Sequence, residues 1–180
     1  MKKLFSEIPT IEGDGIVLGP VLETDSPALQ ELMDNENIYR FLPTFLFEKR
    51  FEDARDAISE FYGELFEKKE SLILGIREAK DDSFCGLAEL YGLRDDAHKI
   101  SIGYRLRENC WGRHITTRAV ALMVSYLYGQ TDIELITAST MVDNYASARI
   151  LENNGFIITA RGVEEDWGYE LPTIADKWFC

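Results

Sequence analysis

Apolar residues along this chain fall into blocks whose spacing switches between strand-like runs and helical stripes. Ile16-Val17-Leu18-Gly19-Pro20-Val21-Leu22 is a short apolar run of strand type. Thr24-Asp25-Ser26-Pro27 follows as a helix start, with Pro27 suited to the first turn and Leu29, Leu32 and Met33 continuing the stripe. Residues 37–47 are irregular and aromatic, interrupted by Pro43. From Phe51 to about Lys69, the residues Phe51, Ala54, Ile58, Phe61 and Leu65 recur between charges at helical spacing, which predicts an amphipathic helix.

Strand signals then cluster. Leu72–Arg77, Phe84–Leu90 and Lys99–Leu106 are separated by the polar turns 79–83 and 94–97 and predict a meander. A helix from about Thr117 to Tyr128 is apolar on most sides and reads as buried. Glu134–Ser139 predicts a strand, and Tyr145–Asn153 a helix stopped by Asn154-Gly155. Phe156–Thr159 and Thr173–Phe179 close the pattern as strands. Neither a repeat nor a linker interrupts it, so residues 1–180 read as one domain with alternating α/β order.

Composition narrows the class. A hydrophobic content of 46% with 12% aromatics excludes an extended disordered chain. No apolar run reaches bilayer length, and Met1-Lys2-Lys3 has no apolar stretch behind it, so neither a membrane span nor a signal peptide is predicted. Cys85, Cys110 and Cys180 are odd in number and widely spaced, and no histidine cluster accompanies them. Neither a disulfide framework nor a metal site is expected, and the plain reading is a cytoplasmic enzyme. A net charge of −13 argues against nucleic acid and anionic membrane as partners.

Against that acidity, Arg105, Arg107, Arg113 and Arg118 gather around the junction between the strand Lys99–Leu106 and the buried helix. The junction itself, Cys110-Trp111-Gly112-Arg113-His114-Ile115-Thr116-Thr117, is a turn opening into a helix. The first N–H groups of a helix lack partners within it, and its dipole leaves that end partly positive. A phosphate or pyrophosphate is the natural guest.

The Trp111–Thr116 turn, the later segment Asn144-Tyr145-Ala146-Ser147-Ala148-Arg149 through Gly155-Phe156, and the order of elements resemble the GNAT superfamily of acyl-CoA-dependent N-acetyltransferases. Gly103-Tyr104 and the Trp-Gly turn resemble the branch containing the ribosomal-protein N-terminal (alanine and serine) acetyltransferases. The resemblance runs from about Ile16 to Phe179. It implies an α/β (α+β) fold with a mixed, splayed central sheet of six to seven strands, helices on both faces, and acetyl-CoA as cosubstrate between two parallel strands. Cosubstrate contacts would come from Tyr104, Arg105 and Leu106, from Trp111, Gly112, Arg113, His114, Ile115, Thr116 and Thr117, and from Asn144 and Ser147. The family's loop pattern, (Gln/Arg)-x-x-Gly-x-(Gly/Ala), starts here at Trp111. His114 and Thr116 then occupy the small-residue positions, and His114 brings a Cβ where backbone would approach phosphate.

By the same resemblance Asn144 would touch the pantetheine arm, and Ser147 would protonate the departing thiolate. The position of the more widespread tyrosine acid holds Leu151. Asp143 or Asn144 is equally suited to cap the following helix. Ser101 stands where a glutamate often precedes the Ile-Gly-Tyr of this branch, and Glu89 on the neighbouring strand is the nearest replacement as general base. Its alternative is an outward-facing polar residue. An α-amine makes small demands on a base, since deprotonating it at pH 7 costs about 1.4 kcal/mol against roughly 4.6 for a lysine-type amine. Ordered water can then suffice. His98 reads as solvated and Cys110 as a packed thiol rather than a nucleophile.

The first two helices and their connection would select the acceptor. Tyr39, Arg40, Phe41, Phe45 and Phe47, with Glu36, Glu48, Glu52, Asp53 and Asp56, suit a peptide N-terminus, a polyamine or an aminoglycoside-like amine. The expected reaction is acetyl transfer from acetyl-CoA to a primary amine by direct attack, without metal. An acyl-CoA-binding module without turnover and an unrelated α/β nucleotide-binding protein are the alternatives. A homodimer is the family's habit.

Overall fold

The computed structural model describes residues 3–180, the side chain of Phe61 excepted, so the charges at Met1 and Lys2 and the Phe61 position of the helical stripe lie outside the described residues. Eight strands form one sheet in the order β1-β2-β3-β4-β5-β6-β8-β7. They are β1 (Ile11–Gly13), β2 (Ile16–Gly19), β3 (Ser71–Glu78), β4 (Phe84–Arg94), β5 (Lys99–Leu106), β6 (Leu135–Met141), β7 (Ile157–Glu165) and β8 (Thr173–Phe179). This corrects the expected six to seven strands. Ile11–Gly13 is too short to show a period of its own and becomes a strand by pairing with β2.

Every neighbouring pair is antiparallel except β5 and β6. That parallel pairing is brief, from Lys99 opposite Leu135 to Ser101 opposite Thr137. Beyond it, β5 stays with β4 as far as Leu106 opposite Gly86, and β6 stays with β8 as far as Met141 opposite Ala175. The two strands therefore diverge while each keeps its ladder on the far side, and the sheet splits into a V.

Helices cover both faces because the strands bury both. Successive side chains of a strand point to opposite sides. Leu72, Leu74, Ala88, Leu90, Ile100 and Ile102 pack with Ala119, Val120, Met123 and Leu127 of α5 (Ile115–Gln130). Ile73 and Leu87 pack on the other face with Leu29 and Leu32 of α1 (Ser26–Met33) and with Leu65. Each such fully buried Leu or Ile contributes about 1.5–3 kcal/mol.

The helix predicted from Phe51 begins at α3 (Ala54–Asp56), where the Asp53 carboxylate accepts from the Arg55 N–H at 2.8 Å. It runs on through a π-helical segment, Ala57–Tyr62, into α4 (Gly63–Glu67). The aromatic stretch before it holds the short α2 (Glu36–Tyr39) and a 3₁₀ turn, Phe47–Arg50. The helix α6 (Tyr145–Asn153) and strands β5 and β8 have the predicted bounds. Cys85, Cys110 and Cys180 are free thiols. Among the described residues no helix is long and apolar enough to cross a membrane.

Candidate active site

Where β5 and β6 part, a cleft of about 810 Å³ opens, and it touches both faces of the sheet. Tyr104 and Arg105 show how. They are consecutive on β5, so their side chains leave the strand on opposite sides. The Tyr104 hydroxyl lies 2.7 Å from Ser147 Oγ on α6. Arg105 turns toward the α1–α4 face and meets the carboxylates of Glu48 and Glu89. Tyr104, Arg105, Ser147 and Glu89 all border the one cleft.

The junction loop has the form an anion site needs. Gly112 has φ of 71°, and a Cβ there would meet nothing within 4 Å, so the space above the backbone is open. His114 is the N-cap residue of α5, held at φ 56° with no hydrogen bond from its side chain to the helix. The Trp111 indole N–H donates to the Leu106 carbonyl at 3.0 Å, folding the loop over the end of β5. Ile115 is buried beneath it, Thr116 lines the cleft, and the Thr117 carbonyl accepts from Asn154 Nδ2 at 3.2 Å. Open space over glycine at a helix N-terminus fits a phosphate-bearing cosubstrate.

The four arginines expected to crowd this loop do not converge. Arg113 pairs with Glu78, and Arg118 donates to the Asp14 carbonyl at 2.6 Å, both beside the loop. Arg105 and Arg107 share the other face of the strand; Arg107 donates to the Phe84 carbonyl at 3.0 Å and pairs with Glu31 of α1. Arg105 is 4% exposed with two carboxylates against it, so its side chain has no charge to spare for a phosphate. Strand alternation is the reason.

Asn144 caps α6, its Oδ1 accepting from the Ser147 N–H at 3.1 Å, and it also lines the cleft. Burial pushes the Tyr104 phenol up to about 12, the bond to Ser147 opposing that shift, so the hydroxyl keeps its proton across the physiological range. Leu151 is wholly buried. Ser101 spends its hydroxyl on Thr137, at 2.9 Å. His98 sits in the β4–β5 turn near Asp132, and Cys110 is buried with its Sγ 3.3 Å from Asn109 Oδ1. Burial, then the neighbouring Cys110, pushes the Cys85 thiol up to about 12.

On the opposite face Glu89 is 6% exposed. Its Oε1 accepts from Ser71 Oγ at 2.7 Å and its Oε2 from Arg105 Nη1 at 2.9 Å. Glu48, wholly buried in the 3₁₀ turn, accepts from Arg105 Nη2 at 2.8 Å and from the Tyr39 hydroxyl at 3.2 Å. Phe41, Phe45 and Phe47 border the cleft. The acids at its edge are different ones. Glu36 pairs with Lys49 and Asp53 with Arg55, and the cleft is lined by Glu70, Glu89, Asp166 and Glu165, the last paired with Lys177, together with Arg40.

Glu165 at the end of β7, and Asp166 and Trp167 in the β7–β8 connection, were not placed at the site by sequence reasoning. The Thr44 N–H donates to the Trp167 carbonyl at 2.9 Å, and the Tyr169 hydroxyl to the Leu42 carbonyl at 2.7 Å. No local pattern announces a contact across so many residues. The Tyr104–Ser147 bond was also missed, although both residues were singled out separately.

The sequence of residues 16–157 matches the model of the acetyltransferase (GNAT) domain family. The uncharacterized N-acetyltransferase YoaA of Bacillus subtilis (strain 168) is 24% identical over 170 residues, 93% of each chain. A spermidine N-acetyltransferase from Vibrio cholerae, solved with CoA and spermine, has the same fold at a TM-score of 0.76 and 17% identity, covering 93% of this chain and 96% of that one. RimL, a ribosomal L7/L12 alpha-N-protein acetyltransferase solved with CoA, superposes at 0.79 and 16% identity, covering 96% and 97%. With a divergent parallel pair, a glycine-opened helix N-terminus and a family match over most of its length, the chain belongs to the GNAT family and is an acetyl-CoA-dependent acetyltransferase.

Proposed function

We propose that this enzyme transfers acetyl from acetyl-CoA to a primary amine by direct attack on the thioester. The observation that carries this reading is the placement of a hydroxyl pair and a carboxylate on opposite faces of one cleft, Tyr104–Ser147 and Glu89. Amides of the Trp111–Thr117 turn and the free end of the Asn144 amide hold the cosubstrate. The amine approaches from the Glu89 side, and that carboxylate or an adjoining water takes its proton. As the C–S bond breaks, Ser147 Oγ gives a proton to the sulfur while Tyr104 passes its own to Ser147, and solvent in the open cleft returns a proton to Tyr104, so no buried phenolate is left behind. Nothing in this sequence of steps needs a covalent enzyme intermediate.

The aromatic and acidic edge favours a cationic acceptor, either a small polyamine or a peptide α-amine, the two classes named for the spermidine enzyme and RimL. Thiol release from acetyl-CoA, followed with spermidine and with peptides beginning in Ala or Ser, tests the reading. Release that depends on the amine supports it; acetyl-CoA binding without release across the panel overturns it.

A further inference from the structure

The buried ion cluster on the acceptor face is one cation short. Arg105 is engaged by Glu48 through a hydrogen bond from Nη2 and an ion-pair contact at Nε, and by Glu89 through Nη1 alone. Among the described residues these carboxylates have no other ion-pair partner. Neither neighbouring phenol changes the count. Tyr39 and Tyr62 are held neutral, their ionisation pushed far up by burial first and by Glu48 second. Of the other cations nearby, Lys49 sits over the Tyr39 ring and donates to the Met33 carbonyl and to Glu36, and Arg40, which borders the cleft, lies over the Phe41 ring rather than against either carboxylate. A cluster of two carboxylates and one guanidinium therefore keeps one negative charge in excess.

Buried charge without compensation is costly, and it is tolerated where something completes it. Glu48 is sealed off, while Glu89 borders the cleft. The missing cation must come from that side. Ser71 and Arg105 each fix one oxygen of Glu89 and so fix the carboxylate's orientation.

We propose that Glu89 is the seat of the acceptor's ammonium group, and that Glu48, Arg105 and Ser71 are positioning residues that keep this wall negative and aimed. This rests on the acetyl-transfer reading and deepens it: the acceptor arrives as a cation, and the enzyme selects charge as well as shape. Glu48 carries the selectivity without touching the acceptor. By claiming two nitrogens of Arg105 it prevents that guanidinium from cancelling Glu89.

The test compares two nucleophiles in the same assay, the most active cationic amine of the panel above and hydroxylamine, which is neutral at pH 7.5. The readout is the ratio of their kcat/KM values. Glu48→Gln is expected to lower that ratio by about tenfold, through KM of the cationic amine, with KM for acetyl-CoA unchanged. Ser71→Ala and Tyr39→Phe, milder changes at the same cluster, should lower it by about threefold and keep the test open if Glu48→Gln does not fold. A cluster that only supports the fold would lower both rates in proportion. An unchanged ratio in folded variants overturns the inference while leaving acetyl transfer in place. Absence of amine-dependent thiol release from the wild type overturns both.

Discussion

Tyr104 and Ser147 form a hydrogen-bonded hydroxyl pair, one member on β5 and the other near the start of α6. In the proposed transfer, losing either hydroxyl interrupts the same proton path. Ser147→Ala and Tyr104→Phe are each expected to lower kcat about 10²-fold, and the double variant little further. Steady-state kinetics of the three variants check this. Because burial raises the Tyr104 phenol to about 12, its neutral donor form persists well above pH 10. The basic limb of the pH–kcat profile should therefore show no loss with a midpoint near the ordinary tyrosine value. His114 is a second residue-scale case. At φ 56° it occupies the left-handed region, where glycine is comfortable and a β-branched side chain is not. His114→Gly should leave Tm within about 2 °C, whereas His114→Val should cost about 1 kcal/mol and lower Tm by about 2–4 °C, read by thermal denaturation.

At the scale of elements, the acceptor side is built from pieces far apart in sequence. The β7–β8 connection docks on the loop after α2 through Thr44, Trp167, Tyr169 and Leu42. Gly168 makes that approach feasible. Its φ is 82°, and a Cβ there would collide with Thr44 Oγ1. Gly168→Ala must lift the connection, so KM for the amine should rise several-fold and Tm fall by about 2–4 °C, with KM for acetyl-CoA unchanged. Equal effects on both substrates would mean that the connection does not border the acceptor path. The π-helical segment between α3 and α4 belongs to the same scale. Charge and apolar spacing predicted a plain amphipathic helix, and the wider turn at Ala57–Tyr62 is a tertiary adjustment that no residue type in the segment demands.

The molecule as a whole carries a net charge of −13. A field of that sign attracts cations and is screened by salt, so an acceptor of the proposed cationic kind would be steered toward the cleft. Raising ionic strength from about 0.02 to 0.5 M should lower kcat/KM several-fold for a cationic amine and leave that for hydroxylamine nearly constant. The splay is also a property of the whole. It exists because β5 and β6 share a ladder only at Lys99–Ser101 and Leu135–Thr137 and are then held apart by β4 and β8. The cleft is the space between two ladders that each remain satisfied.

Much of this was legible in the sequence. Hydrophobic periodicity set β5, α6 and β8 to their bounds, because in those segments one side is buried and the other is not. The glycine turn before α5 and the Asn144–Ser147 helix start were visible because anion sites and helix caps are local, made by residues within a few positions of each other. Glu89 was visible as a carboxylate on the right strand. What surrounds it was not. Arg105 looked like part of a basic loop, and strand alternation, fixed by the register between β4 and β5, sent it to Glu48 and Glu89 instead. Glu48 is 57 residues from Arg105, and Trp167 is 123 from Thr44. The sequence determined the elements, the loop and the chemistry each residue carries. Only the tertiary structure decided which side chains face the cleft together, since pairing across the sheet depends on register and packing between distant segments, which local spacing does not encode.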